Sequence, residues 1–99
     1  MNGFREVTGK RARVLAIHER VREQLRSALI ERHRGAAVQM IARETLAALK
    51  RSGTRAVELR VRFLRRQADG MELEQRSTTR AAFLLRQLKR LEEQLHDQD

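Results

Sequence analysis

The stretch Ala56-Val57-Glu58-Leu59-Arg60-Val61-Arg62-Phe63-Leu64-Arg65-Arg66-Gln67-Ala68-Asp69-Gly70-Met71-Glu72-Leu73-Glu74-Gln75-Arg76-Ser77 decides how the 99-residue chain is read. Val57, Leu59, Val61 and Phe63 alternate with Glu58, Arg60 and Arg62, the period of two that marks a half-buried strand. Asp69-Gly70 then supplies a turn signal, and Met71 and Leu73 resume the alternation. The pattern predicts a β-hairpin over residues 54–77. A two-residue loop would set Phe63 opposite Arg76 and invert every side chain. A three-residue loop, Ala68-Asp69-Gly70, instead gathers Val61, Phe63, Met71 and Leu73 on one face and puts Gly70 where a left-handed residue belongs. Arg66 then faces Glu72 on the outer side, with Glu74 diagonal to it, so the acids offset the hairpin's own basic charge.

Outward from this stretch the pattern is helical. Upstream, Val38, Ile41, Ala42, Leu46 and Leu49 give a helix from Ala36 to about Arg51, ended by Ser52-Gly53 with Lys50 and Arg51 in its last turn. Before it, Val14, Ile17, Val21, Leu25, Ala28 and Leu29 mark a helix from Lys10 to about Arg34, roughly 36 Å long, with Gly35 as its expected stop. Residues 1–9 read as a flexible or docking arm in which Phe4 and Val7 are the anchors. Downstream, Ser77 or Thr78 is the expected N-cap of a last helix. There Ala81, Leu84, Leu88, Leu91 and Leu95 recur at three and four, a heptad seam.

The expected fold is therefore α+β in the order α-α-β-β-α. It is read as a single domain, 1–99, with the arm at 1–9, a basic helical pair at 10–53, the hairpin at 54–77 and the C-terminal helix at 78–97. Two strands make a poor sheet alone and leave an exposed edge. A homodimer is the expected remedy, through Val57, Leu59, Val61 and Phe63 of the hairpin or through Leu84, Leu88, Leu91 and Leu95 of the seam.

Composition narrows the function. With no Cys there are neither disulfides nor thiolate metal sites. No apolar run approaches a membrane span and no signal-peptide core is visible, so a cytoplasmic protein is expected. His18-Glu19 resembles the start of a zinc-binding His-Glu-x-x-His, but position 22 is Arg. His33 between Arg32 and Arg34 reads as a helix-end cation, and His96 lies in a tail expected to fray. No nucleophile elbow, phosphate loop or catalytic carboxylate pair is present. No enzyme activity, metal or cofactor is expected.

The charge is the strong signal. The net charge is +9, and nineteen of the twenty-two basic residues are Arg. Residues 1–53 hold twelve Lys/Arg against five Asp/Glu, residues 54–76 six against four, and residues 77–99 four against four. Arg guanidinium suits bidentate phosphate contact. On a helical wheel Arg11, Arg22 and Arg26 share one flank of the first helix and Arg13 and Arg20 the other, with Lys10 at its start. Arg32, Arg34 and Arg43 gather around the expected turn at Gly35. These nine residues are the expected nucleic-acid contacts, most simply to duplex DNA through phosphates. Three Phe without Trp or Tyr cannot build a stacking platform for single strands. The competing expectation is an adaptor or inhibitor that grips a protein partner through the leucine-rich last helix or the hairpin edge.

Overall fold

The computed structural model describes residues 2–53 and 55–97, with side chains from Gly9 onward, and it holds two helices. Helix α1 spans Asn2–Arg51 and α2 spans Val57–Asp97. There is no strand among the described residues, so the α+β expectation and its β-hairpin are overturned. Intrinsic preference explains why. Fifteen of the 21 residues from Val57 to Ser77 are Ala, Leu, Arg, Met, Gln or Glu, the strongest helix formers. Four alternating apolar residues do not outweigh that sum. The exposed strand edge, from which dimerisation was argued, disappears with the hairpin.

Gly35 and Gly70, expected as a helix stop and a turn, both lie inside helices. The chain turns instead where Ser52-Gly53 was expected to end a helix. Ser52 N donates to Ala48 O at 3.0 Å, Gly53 N donates to Lys50 O at 3.2 Å, and Ser52 Oγ donates to Leu49 O at 3.0 Å. Gly53 has φ +70°, a backbone state that glycine enters without the Cβ penalty. Lys50 and Arg51 complement the carbonyl end of α1, and Glu58 the amide end of α2.

The chain divides into two units. In residues 29–79, the second half of α1 and the first half of α2 form an antiparallel αα-hairpin closed at the α1–α2 connection. Its seam follows the three-four spacing on both sides. Gly35, Gln39, Ala42, Leu46 and Leu49 on α1 meet Phe63, Gln67, Gly70, Glu74 and Ser77 on α2, all of them buried or half-buried. The four fully buried positions, Gly35, Ala42, Gly70 and Ser77, are all small, so the two backbones come together closely. Gln39 Nε2 bridges the pair, donating to Glu74 Oε2 at 3.1 Å.

The other unit is made of residues 1–28 and 80–99, again antiparallel. Here the core is aliphatic: Val21 and Ala28 pack with Ala81, Leu84 and Leu88, flanked by Leu25 and Leu91. The heptad seam legible in the last helix is thus used inside the chain. Arg11 Nη1 donates to Leu95 O at 3.2 Å, and His18 Nε2 lies 3.2 Å from Glu92 Oε1.

Several local expectations change with the fold. Ser77 and Thr78 do not cap a helix but lie within α2, where Thr78 Oγ1 returns a hydrogen bond to Glu74 O at 2.7 Å. Residues 2–9, read as an arm, are helical backbone, and the anchoring role of Phe4 and Val7 falls outside the described side chains. Ile17, Leu29 and Ile41, expected inward, are exposed. No helix among the described residues is long and apolar enough to cross a membrane.

Candidate functional site

The nine basic residues singled out from sequence all lie on α1. Lys10, Arg13, Arg20, Arg22, Arg26, Arg32, Arg34 and Arg43 are exposed, whereas Arg11 is half-buried and engaged with Leu95. They do not form one patch. Arg13 and Arg20 fall on one line of the helix, while Arg22 and Arg26 lie on the other side, about 120–180° around it. Arg26 reaches Glu23 at 3.8 Å. Because α1 continues through Gly35, Arg32, Arg34 and Arg43 do not surround a turn but are strung along about 16 Å of helix. Of the apolar residues expected at an interface, Val57, Leu59 and Val61 are exposed. Phe63, Leu91 and Leu95 are half-buried, and Leu84 and Leu88 are buried in the intrachain core.

The densest charge lies elsewhere. Residues 43–66, which flank the turn and form the closed end of the hairpin in residues 29–79, hold eight Lys/Arg against two Asp/Glu. That is a net +6 in 24 residues, two thirds of the charge of the whole chain. Arg43, Lys50, Arg51, Arg55, Arg60, Arg62, Arg65 and Arg66 are all exposed. Arg62 and Arg66 form a line, spaced four and within about 40° of arc along the first turns of α2, and Arg55 lies just before the helix. Arg62 and Arg66 lie about 6 Å apart along the axis at 1.5 Å per residue. Arg66 is held in place on this line, its guanidinium 5.7 Å above the Phe63 ring. Beside it, Val38, Ile41, Ala42 and Phe63 line a groove of about 250 Å³ bordered by Arg66 and Asp69.

This cluster was missed for a definable reason. Tallying charge in blocks cut at residue 53 divides it between two blocks, and the β-hairpin reading cancels Arg62 and Arg66 against Glu72 and Glu74. In a helix Glu72 lies six residues beyond Arg66, about 9 Å along the axis and about 120° around it, and Glu74 is turned inward to Gln39. The cancellation goes with the hairpin.

The remaining candidates are sparse. His33, expected at a helix end, sits within α1, and His96 is in the last turn of α2. Among the described residues no group of three or more His, Cys, Asp or Glu side chains is placed to hold a metal ion. A scan against protein-family models, a search of curated proteins and a search of solved structures each found no match to this chain.

Proposed function

We propose that this chain binds nucleic acid, with duplex DNA in the cytoplasm as its target, through phosphate contacts made by the basic closed end of its helical hairpin. It acts by binding rather than by catalysis. The observation that carries the reading is the net +6 over residues 43–66 on side chains that are all exposed. None of the eight basic residues there enters an ion pair with a described residue, so their donors face solvent. Phosphate contact by such side chains releases condensed counterions, which supplies affinity without base readout. A filter-binding titration on duplex and single-stranded DNA tests it. Four to six contacts on duplex imply a slope of about −4 to −5 in log affinity against log salt. Absence of binding to either form at about 50 mM salt, where such contacts are strongest, rejects the reading.

A second reading rests on a different observation. The described residues expose thirteen large apolar side chains, among them Ile30, Met40, Ile41, Leu64 and Phe83. Helices that are apolar on several sides are ordinarily covered by others, which supports an adaptor that packs against a helical protein. Pull-down from nuclease-treated lysate separates the two. A stoichiometric protein that survives nuclease supports the adaptor, and nucleic acid in the untreated control alone supports the first reading.

A further inference from the structure

We propose that the Val57–Ala68 face of α2 docks on the same face of a second copy of this chain, the two α2 helices running antiparallel with Val61 of each against Leu64 of the other. Val57, Val61, Leu64 and Ala68 are spaced four, three and four, the rhythm of the intrachain seam. They lie about 120° around α2 from that seam. The seam residues Phe63, Gln67 and Gly70 face α1, and this second stripe faces away: Val57 is 67%, Val61 40% and Leu64 54% exposed. Along its charged flank Val57 and Val61 line a shallow groove together with Glu58, Arg62, Arg65, Arg66 and Asp69. A helix that carries two heptad stripes is built to contact two helices, and only one is supplied within the unit.

The charges identify the second. Glu58 and Arg65 each follow an apolar stripe position and lie on the same flank, seven residues apart. When two copies pair antiparallel with Val61 against Leu64, Val57 meets Ala68, and Glu58 of one copy comes within about 3 Å along the axis of Arg65 of the other, on the shared flank. The two-fold repeats the pair, as it must in an interface between identical surfaces. Sliding one helix by a heptad in one direction sets Arg65 against Arg65 and Glu58 against Glu72; sliding it the other way sets Glu58 against Glu58. Parallel pairing brings Arg60 to Arg65. Flanking charges of this kind set orientation and register in helix pairs. One arrangement therefore satisfies the stripe and its flank together, and it is a self-pairing one. The contact covers about 18 Å of each helix, small for a stable interface, so the dimer forms in the micromolar range. Arg62, Arg65 and Arg66 belong both to this groove and to the basic closed end, so the pairing is tested without nucleic acid, where it stands or fails independently of the phosphate-binding reading.

Sedimentation equilibrium of the full chain, from low micromolar to several hundred micromolar, tests the proposal. The wild-type mass should rise from 11.6 kDa toward twice that value. Glu58→Arg and Arg65→Glu each create two like-charge pairs and should weaken dimerisation about tenfold, while the double variant should return to within about threefold of wild type. A wild type that stays monomeric, single variants that dimerise as well as wild type, or a double variant that is not restored would each overturn it. Because the sequence has no cysteine, Val61→Cys and Leu64→Cys provide a second measure that needs no charge change. Mixed and gently oxidised, they should yield the 61–64 cross-linked heterodimer in preference to either homodimer, and a preference for the homodimers would refute the register. Circular dichroism confirms that each variant keeps its helices, and the cysteine pair decides if a charge variant does not.

Discussion

Gly35 and Gly70 pack backbone to backbone, so that a Cβ added to Gly35 would lie 2.7 Å from Gly70 O and 2.8 Å from Glu74 N, and one added to Gly70 would lie 2.8 Å from Gly35 O. Each glycine costs its helix about 1 kcal/mol relative to alanine, and neither has a positive φ to justify it. What they provide is proximity. With no side chain between them, the two backbones approach, and small Ala42 and Ser77 are buried in the same seam. At this crossing the seam has no room for bulky side chains, and Met40, Ile41 and Leu64 face out while Leu46, Leu49 and Phe63 are half-buried toward the turn.

Replacing either glycine by alanine should destabilise the protein despite better helix propensity. The added methyl meets backbone rather than a movable side chain, and overpacking of that kind costs about 1–3 kcal/mol. Gly9 supplies the control, because no described residue lies within 4 Å of a Cβ built there. Gly9→Ala should raise the Tm, with a gain of up to about 1 kcal/mol, while Gly35→Ala and Gly70→Ala should lower it. Thermal unfolding followed by circular dichroism measures all three. A rise in Tm for all of them would mean that the helices separate more easily than this packing allows.

Ser77 offers a gain instead. It is 1% exposed, and its Oγ has no hydrogen-bond partner among the described residues. An unsatisfied buried hydroxyl costs about 1–3 kcal/mol, and alanine fits the same space. Ser77→Ala should therefore stabilise by about 1 kcal/mol, and Ser77→Leu should destabilise by overfilling the seam. Denaturant midpoints compare the three proteins. A loss of stability in Ser77→Ala would show that the hydroxyl has a partner after all.

The leucines of α2 divide by face, and one pair makes a clean test. Leu88 is 9% exposed in the aliphatic core, whereas Leu85, three residues before it, is 54% exposed. Leu88→Ala should cost about 2–5 kcal/mol, and Leu85→Ala about 0.5 kcal/mol or less. Equal losses at the two positions would indicate that the helix is rotated about its axis relative to this packing.

The heptad of Leu84, Leu88, Leu91 and Leu95 was legible because its residues are uniform and its rhythm survives several turns. The turn at Ser52-Gly53 was legible because glycine follows two cations at the end of a periodic segment. The β-hairpin was a misreading with a specific cause. In α2 Val57 and Val61 share the outward face, while Leu59 and Phe63, also one turn apart, lie about 160° around the helix on the side that faces α1, so two i,i+4 apolar pairs on opposite faces mimic alternation over a short window. Gly35 and Gly70 were read as breaks because one chain alone does not reveal which glycine is spaced to meet another. The same apolar spread hid the inward stripe of α1, where Arg11 and His18 occupy seam positions that aliphatic residues were expected to hold.

The location of the phosphate contacts can be read from salt dependence. On duplex DNA, every phosphate contact that a substitution abolishes lowers the slope of log affinity against log salt by about 0.9. Replacing Arg55, Arg62, Arg65 and Arg66 by Gln removes the densest part of the closed end. Replacing Arg13, Arg20, Arg22 and Arg26 removes the same formal charge from α1, where the side chains point in opposing directions and one of them, Arg26, has Glu23 beside it. A duplex laid on one side of α1 reaches only some of these four. The closed-end variant should therefore flatten the slope by about 3, and the α1 variant by about 1 to 2. The net charge falls by four in both, so a purely global electrostatic attraction would weaken them equally. Equal slopes in the two variants would assign binding to the overall field rather than to the closed end, and a larger change in the α1 variant would move the site to the first helix.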